Sequence, residues 1–194
     1  MCGYCKHLKS TTKFVILMHP KEFKKVKNNT GHFTHLSLDN SELFVGIDFS
    51  DHKRINEIIK THESYILFPS PHATNLTHSN PKSTSKPLAI FLIDSTWACA
   101  KPIFNRSKNL QNLKHLSFTT TKTSQYKIKA QPQEAYLSTI ESTQVVLELL
   151  QKHGIEAFNK EDLEGFLEPF HQMIAYQEVL INNPKSNAVR FKRY

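Results

Sequence analysis

The chain has 194 residues, of which 39% are hydrophobic, and a formal net charge of +8 with a pI near 9.3. These values fit one globular domain and exclude a membrane-spanning protein, because no run reaches the roughly 18–20 apolar residues that cross a bilayer. The N-terminus lacks the apolar core of a signal peptide, and Cys2, Cys5 and Cys99 are too few for a disulfide framework, so we expect a cytoplasmic protein.

The predicted elements alternate between strands and helices. Apolar runs predict strands at residues 14–18, 43–46, 65–68, 88–93 and 116–118. Helical spacing and capping residues predict helices at residues 21–29, 51–62 and 97–108, from Ser138 to a glycine cap at Gly154, and at residues 161–181 with a kink or break at Pro169. Residues 28–31 are typical of a turn, and residues 77–86 and 119–133 of loops. This alternation predicts an α/β fold with a mostly parallel sheet and flanking helices.

The positive charge is clustered. No Asp or Glu occurs from Ser95 to Gln133, whereas residues 138–182 are acidic. Clustered cations suit the phosphates of a nucleic acid, although a lysine-rich surface is often only a solvated face. The basic clusters are Lys21, Lys24, Lys25 and Lys27; Lys101, Arg106, Lys108, Lys114, Lys122, Lys127 and Lys129; and Lys185, Arg190, Lys192 and Arg193.

The stretch Asp94-Ser95-Thr96-Trp97 follows a predicted strand and precedes a predicted helix. Ligands of open α/β sheets bind at the carboxyl ends of strands, so this stretch is a candidate site. Asp, Ser and Thr are also preferred helix caps, and Trp97 is a core residue in that alternative. The residues by themselves leave both interpretations open.

Four motifs together resemble those of the DTW-domain family over residues 14–150. They are Asp94-Ser95-Thr96-Trp97 (D-x-T-W), His19-Pro20-Lys21-Glu22 with Asn29-Thr30 (H-P-x-E…N-T), Phe68-Pro69-Ser70 (F-P-S) and Ser138-Thr139-Ile140-Glu141 (S-T-x-E). The resemblance implies a single DTW domain over residues 1–194, with residues 1–13 as the remnant of a cysteine-containing segment and residues 183–194 as a basic tail. It also implies a SPOUT-like fold with a C-terminal trefoil knot.

The resemblance further implies a tRNA-uridine aminocarboxypropyltransferase. S-adenosylmethionine would donate its 3-amino-3-carboxypropyl group to N3 of a tRNA uridine, at position 47 of the variable loop in bacterial members, and 5′-methylthioadenosine would leave. Two other functions stay open, namely a SPOUT-type RNA methyltransferase and a catalytically silent RNA-binding protein. The expected partner is tRNA, no membrane or protein partner is predicted, and the oligomeric state is left open.

The resemblance and the strand-end position assign expected roles to particular residues. Asp94 is the candidate catalytic residue, either as general base for the uridine N3 proton or as the group that orients the base. A structural role for His19 and a plain capping box at Ser138 and Glu141 are the alternatives. The expected donor-binding residues are Phe68, Pro69, Ser70, Leu92, Ile93, Ser95, Thr96, Ser138, Thr139 and Glu141. The expected tRNA-binding residues are His19, Glu22, Asn29, Thr30, Trp97, Lys24, Lys25, Lys101, Arg106, Lys127 and Lys129.

Two features depart from the family pattern. Family members carry two cysteine pairs before the first strand, whereas only Cys2 and Cys5 precede residue 14 here, so we expect no zinc. An arginine that the family carries before the S-T-x-E motif is replaced by Lys127 or Lys129. Lysine keeps the charge but loses the bidentate fork that binds a carboxylate or a phosphate.

Overall fold

A computed structural model describes residues 7–25, 29–81, 84–126 and 137–182. The strands in these ranges are β1 (Lys13–Met18), β2 (Ser41–Val45), β3 (Glu63–Leu67), β4 (Thr74–Asn75), β5 (Leu88–Asp94) and β6 (Lys114–Ser117). They form one sheet in the order β2-β1-β5-β3-β6-β4, and every neighbouring pair is parallel. This confirms the predicted α/β fold with a parallel sheet.

Helices cover both faces of the sheet. They are α1 (Pro20–Lys25), α2 (Thr30–Ser37), α3 (Lys53–Thr61), α4 (Trp97–Arg106), α5 (Lys108–Gln111), α6 (Thr139–Lys152), α7 (Lys160–Gly165) and α8 (Glu168–Asn182). The core on one face is built with α2, α6 and α8, and the core on the other face with α3, α4 and α5. None of these described helices combines the length and apolar character needed to cross a bilayer.

The central strands are buried on both sides, which explains their continuous apolar sequences. In β1, Phe14 and Ile16 pack with the α2–α6–α8 layer, whereas Val15 and Leu17 pack with the α3–α4–α5 layer. The side chains of β5 alternate between the two layers in the same way. Because β1 and β5 are neighbours near the middle of the sheet, their carboxyl ends meet at one edge.

The predicted turn over residues 28–31 is wrong from Thr30 onward, because α2 begins there. Asn29 caps this helix, with Oδ1 accepting a hydrogen bond from His32 N at 2.8 Å. Asn and Gly are common in turns, but Asn is equally a helix cap, and the helix that follows is stabilised by packing rather than by propensity. The predicted interruption near Pro169 is confirmed, since α7 ends at Gly165 and α8 begins at Glu168.

The buried carboxylate of Glu156, in the segment after α6, binds the residues that lead into β1. Glu156 accepts hydrogen bonds from Ser10 Oγ, Thr11 N, Thr11 Oγ1 and Thr12 N at 2.6–3.1 Å. Burial by itself raises the pKa of Glu156, but the hydrogen bonds from Thr12 and Thr11 outweigh it and leave the pKa below its usual value. The ionised carboxylate therefore stabilises the folded chain.

We expect Glu156→Gln to lower the free energy of unfolding by about 3 kcal/mol at pH 7, because an amide cannot accept all of these hydrogen bonds. The difference from the wild type is expected to shrink as the pH falls through the usual carboxyl range, since protonation removes the wild-type contribution. Urea unfolding from pH 3 to 7 measures this. The matched control is Glu161→Gln, which changes an exposed carboxylate on α7; an equal loss in both variants would contradict the prediction.

Candidate active site at the carboxyl ends of β1 and β5

Asp94 ends β5 and lies at the centre of the candidate site. Only 5% of its surface is exposed. Its Oδ1 accepts a hydrogen bond from Thr139 Oγ1 at 2.6 Å, and its carbonyl oxygen accepts one from His19 N at 3.2 Å. The side chain is therefore held by the first residue of α6, and the backbone is held by the residue that follows β1. The structure thus brings together predicted site residues from three separate motifs.

Gly31 in the first turn of α2 packs directly against the Asp94 carboxylate. A Cβ atom built at Gly31 would lie 2.5 Å from both Cγ and Oδ2 of Asp94. Only glycine permits this approach. The carboxylate consequently lies against the N-terminal turns of two helices, α2 and α6. A helix N-terminus carries free N–H groups and the positive end of the helix dipole, so a carboxylate is compatible with this position.

Asn29 and Thr30 begin α2 and are nearly buried. Besides capping the helix, Asn29 donates from Nδ2 to Met18 Sδ at 3.4 Å, which joins the helix to the end of β1. The carbonyl oxygen of Thr30 accepts a hydrogen bond from Thr34 Oγ1 at 2.8 Å. These contacts set the position of Gly31 against Asp94. A direct contact of either residue with the substrate stays a prediction.

His19 is 6% exposed and begins the turn into α1. Its Nδ1 accepts a hydrogen bond from Lys21 N at 3.1 Å, so the neutral ring carries its proton on Nε2. The backbone of His19 also accepts hydrogen bonds from Glu22 N and Phe23 N. His19 thus organises α1, which is the structural alternative for this residue, and its contact with the uridine stays a prediction.

Glu141 is surrounded by donors. Its carboxylate accepts a hydrogen bond from Ser138 N, which is one half of the predicted capping box; in the other half the Ser138 side chain accepts from the backbone N–H of Glu141. The carboxylate also accepts from Ser138 Oγ, and from Ser124 Oγ and Gln125 N at 2.9 and 2.7 Å. The side chain is 5% exposed. Glu141 therefore joins the segment before residue 127 to the start of α6. This structural task occupies its oxygens, and a direct contact with the donor stays a prediction.

In the helix-cap interpretation, the Asp94-to-Trp97 stretch begins a helix and a side chain caps it with a hydrogen bond. The structure confirms the start of the helix but not the capping hydrogen bond. Thr96 is the N-cap residue of α4, yet its exposed side chain makes no capping hydrogen bond. The hydroxyl of Ser95 donates to Thr96 O at 3.1 Å. Leu92 is buried in the core and Ile93 is half-buried. Of the donor-binding residues predicted in this stretch, Thr96 thus has the most accessible side chain.

The Phe68-Pro69-Ser70 motif follows β3 as predicted. The Phe68 ring stacks on Phe104 of α4 with centroids 4.6 Å apart and packs edge-on against His115. Pro69 is exposed, and Ser70 Oγ accepts a hydrogen bond from His72 N at 3.3 Å. Phe68 therefore anchors the loop to α4, Pro69 is the exposed member of the motif and Ser70 is half-buried.

Two of the exposed basic residues are paired with acids. Lys114 pairs with Glu63, and Lys122 Nζ lies 2.7 Å from Glu148 Oε2, so two lysines of the acid-free segment are matched by acids from elsewhere. Lys24, Lys101 and Arg106 are exposed. Several predicted groups lie outside the described residues, namely the side chains of Lys25 and Trp97, and Cys2, Cys5, Lys27, Lys127, Lys129 and residues 183–194.

No group of three or more His, Cys, Asp or Glu residues among the described ranges is placed to hold a metal ion. Cys99 on α4 is a half-buried free thiol. The arrangement of Asp94, Gly31 and Thr139 instead forms an anionic site at the strand ends. A carboxylate in this position can accept a hydrogen bond from a ligand.

Comparison with known protein families shows that the DTW domain profile matches residues 1–178. The chain belongs to the DTW domain family. This DTW domain is 30% identical over 170 residues to tRNA-uridine aminocarboxypropyltransferase 2 of Macaca fascicularis, which covers 86% of the chain and 55% of that relative. It is 30% identical over 182 residues to the protein of the same name from Mus musculus, covering 91% of the chain and 59% of the relative.

The Drosophila melanogaster relative has the same name and is 28% identical over 172 residues, or 86% of the chain and 65% of the relative. The chain thus spans less than two thirds of the length of these curated relatives. No solved structure matches it. The family assignment therefore rests on the sequence profile and these relatives.

Sequence reasoning missed Gly31, Ser124 and Gln125. Gly31 directly follows the Asn29-Thr30 pair, so a glycine inside the first helical turn was the available signal. Ser124 and Gln125 carry no such signal, because their partner Glu141 is brought to them only by the fold.

Proposed function

We propose that this DTW domain transfers the 3-amino-3-carboxypropyl group of S-adenosylmethionine to N3 of a uridine in tRNA. The observation that carries the proposal is the Asp94 carboxylate, which Thr139 and Gly31 hold at the strand ends where α/β sheets bind ligands. The names of the three relatives state the tRNA-uridine aminocarboxypropyltransferase activity. The net charge of +8 suits an RNA partner.

In this proposal the residues of the strand-end edge position the reactants. The backbone and side chains of residues 68–70 and 92–96, with the start of α6, would hold the donor. A bond forms between uridine N3 and the γ-carbon of the aminocarboxypropyl group, while the bond from that carbon to sulfur breaks and 5′-methylthioadenosine leaves. Asp94 accepts the N3 proton, or it holds the base by accepting its hydrogen bond while the proton passes to solvent water or hydroxide.

We also propose that the sheet is of SPOUT type and that the chain forms a trefoil knot. In support, β5 lies between β1 and β3, and the chain that leaves β6 returns across the sheet so that α6 packs against β5 and α2. An experimental structure that traces residues 118–138 relative to the connection between β3 and β5 tests this. A chain that passes outside that connection, and can be pulled straight from both ends, would exclude the knot.

Labelled donors test the reaction. The protein is incubated with tRNA and S-adenosylmethionine labelled either in the methyl carbon or in the aminocarboxypropyl carbons, and mass spectrometry locates the modified nucleotide. Label from the aminocarboxypropyl carbons alone supports the proposal. Methyl label in the RNA supports an RNA methyltransferase, and retained tRNA binding without transfer of either label supports a silent RNA-binding protein.

The exposed lysines near the site are expected to contact phosphates. Replacing Lys24 and Lys101 together with glutamine should reduce the slope of log affinity against log salt concentration by roughly one to two, because each lost phosphate contact contributes about 0.7–0.9. Filter binding of tRNA from 50 to about 200 mM salt measures the slope. Lys152→Gln, an exposed lysine at the end of α6, is the control. An unchanged slope in the double variant would place the tRNA on another surface.

A further inference from the structure

An exposed aromatic ring lies beside the Asp94 site. Phe23 on α1 leaves 49% of its surface in solvent, although phenylalanine is among the residues most often buried. Its N–H donates to His19 O at 3.2 Å, and its ring centroid lies 5.6 Å from that of His32. His32 directly follows Gly31, which packs on the Asp94 carboxylate. The ring is therefore next to the turn that forms the site.

The immediate surroundings of Phe23 are cationic. Lys21 and Lys24 are exposed on either side of it along α1. The one acid of this helix, Glu22, is half-buried and near Tyr126. Burial raises the pKa of Tyr126, and the charge of Glu22 raises it further despite a hydrogen bond with Gln177. Glu22 is thus partly covered by the protein, whereas the exposed residues of α1 include one aromatic ring and two positive charges.

His32 supports the ring from the protein side. Burial lowers the pKa of His32, and the nearby His35 lowers it further, so the imidazole is neutral near pH 7. A neutral ring in tilted contact with Phe23 restricts its movement without adding charge. Among the described residues, Phe23 leaves 49% of its surface exposed, and this aromatic surface can contact a flat partner.

We propose that Phe23 is a stacking platform for a base adjacent to the uridine that enters the Asp94 site. Single-stranded RNA is recognised by aromatic side chains that stack on its unpaired bases and by cations that neutralise its phosphates. The ring of Phe23 supplies the first element, and Lys21 and Lys24 supply the second. This inference rests on the proposed function, because it takes the RNA of that reaction as the occupant.

Binding of tRNA to three Phe23 variants tests the platform. Phe23→Ala and Phe23→Leu are each expected to weaken tRNA binding about tenfold, the size of one lost stacking contact, whereas Phe23→Trp retains the affinity. The salt dependence of binding should match the wild type, since no phosphate contact is removed. Binding of S-adenosylmethionine, measured by calorimetry, should stay unchanged. The control is Leu36→Ala, an apolar side chain that is 41% exposed near the other end of α2.

The outcomes separate this inference from the proposed function. Wild-type affinity in Phe23→Ala would overturn the platform even if the wild type modifies tRNA. Full affinity in Phe23→Leu would also overturn it, because an apolar contact without an aromatic face would then suffice. If the wild type transfers no aminocarboxypropyl group but the Phe23 variants lose affinity as expected, the platform stands and the proposed reaction fails.

Discussion

Asp94→Asn is expected to reduce transfer of the aminocarboxypropyl group by about 10³-fold while leaving S-adenosylmethionine binding and the melting temperature close to the wild type. The asparagine keeps the shape of the side chain and can still hydrogen bond with Thr139, so the buried packing survives. It removes the negative charge and the ability to take the uridine proton. Loss of a positioned acid–base group costs typically 10²–10⁴-fold in rate. Single-turnover transfer with saturating tRNA measures the effect.

The matched control is Asp162→Asn, which alters an exposed carboxylate on α7. Near-normal transfer by Asp94→Asn would contradict the proposed role of Asp94. The pH dependence then separates the two forms of that role. If Asp94 is the base, the residual rate of the variant should rise about tenfold per pH unit, because hydroxide must take the N3 proton, while the wild-type rate rises less. Parallel profiles would indicate that Asp94 only orients the uridine.

Gly31→Ala is expected to lower transfer by about 10²-fold and to destabilise the fold by about 1–3 kcal/mol. The added Cβ would lie 2.5 Å from Cγ and Oδ2 of Asp94, so the carboxylate or the first turn of α2 must shift. At an ordinary helical position the same change stabilises a helix by about 0.5–1 kcal/mol, because alanine is the better helix former. Whether Gly31→Ala lowers or raises the free energy of unfolding therefore tests the contact between Gly31 and the Asp94 carboxylate.

A double-mutant cycle provides the control for Gly31. In a protein that already carries Asp94→Ala, the carboxylate that the new methyl group would clash with is absent. Gly31→Ala should then lower the free energy of unfolding only slightly, or raise it. Thermal unfolding of the four proteins measures the coupling. Additive effects, or a Gly31→Ala protein that is more stable and as active as the wild type, would show that α2 does not constrain the Asp94 side chain.

Much of the fold is predictable from local patterns. The apolar runs gave five of the strands approximately, since strands buried on both faces need continuous apolar sequence. The capping box at Ser138 and Glu141 located the start of α6, and Gly154, with φ +70°, lies at its end as predicted. Two helices were missed, α2 and the short α5. Helix α2 begins with residues that are also typical of turns, and it packs on β1 and α6.

The candidate site was only partly predictable. Its motifs could be placed at strand ends and helix starts, because the chemistry of caps and of β–α junctions is local. The contact of Thr139 with Asp94 and the approach of Gly31 to that carboxylate could not be derived, since neither depends on residues near in sequence. The same holds for Lys114 and Lys122, whose acidic partners lie on other elements.

The sequence by itself determined the alternation of strands and helices, the strand-end position of Asp94 and the family to which the chain belongs. Those properties follow from the spacing of hydrophobic residues, from capping residues and from short motifs. Each of these can be identified within a single segment of the chain. Only the tertiary structure showed that Asp94 lies against the starts of α2 and α6 and that Phe23 stays exposed beside them. The reason is strand order. By placing β5 between β1 and β3, the fold brings distant helix starts to one carboxylate, and no local pattern encodes that order.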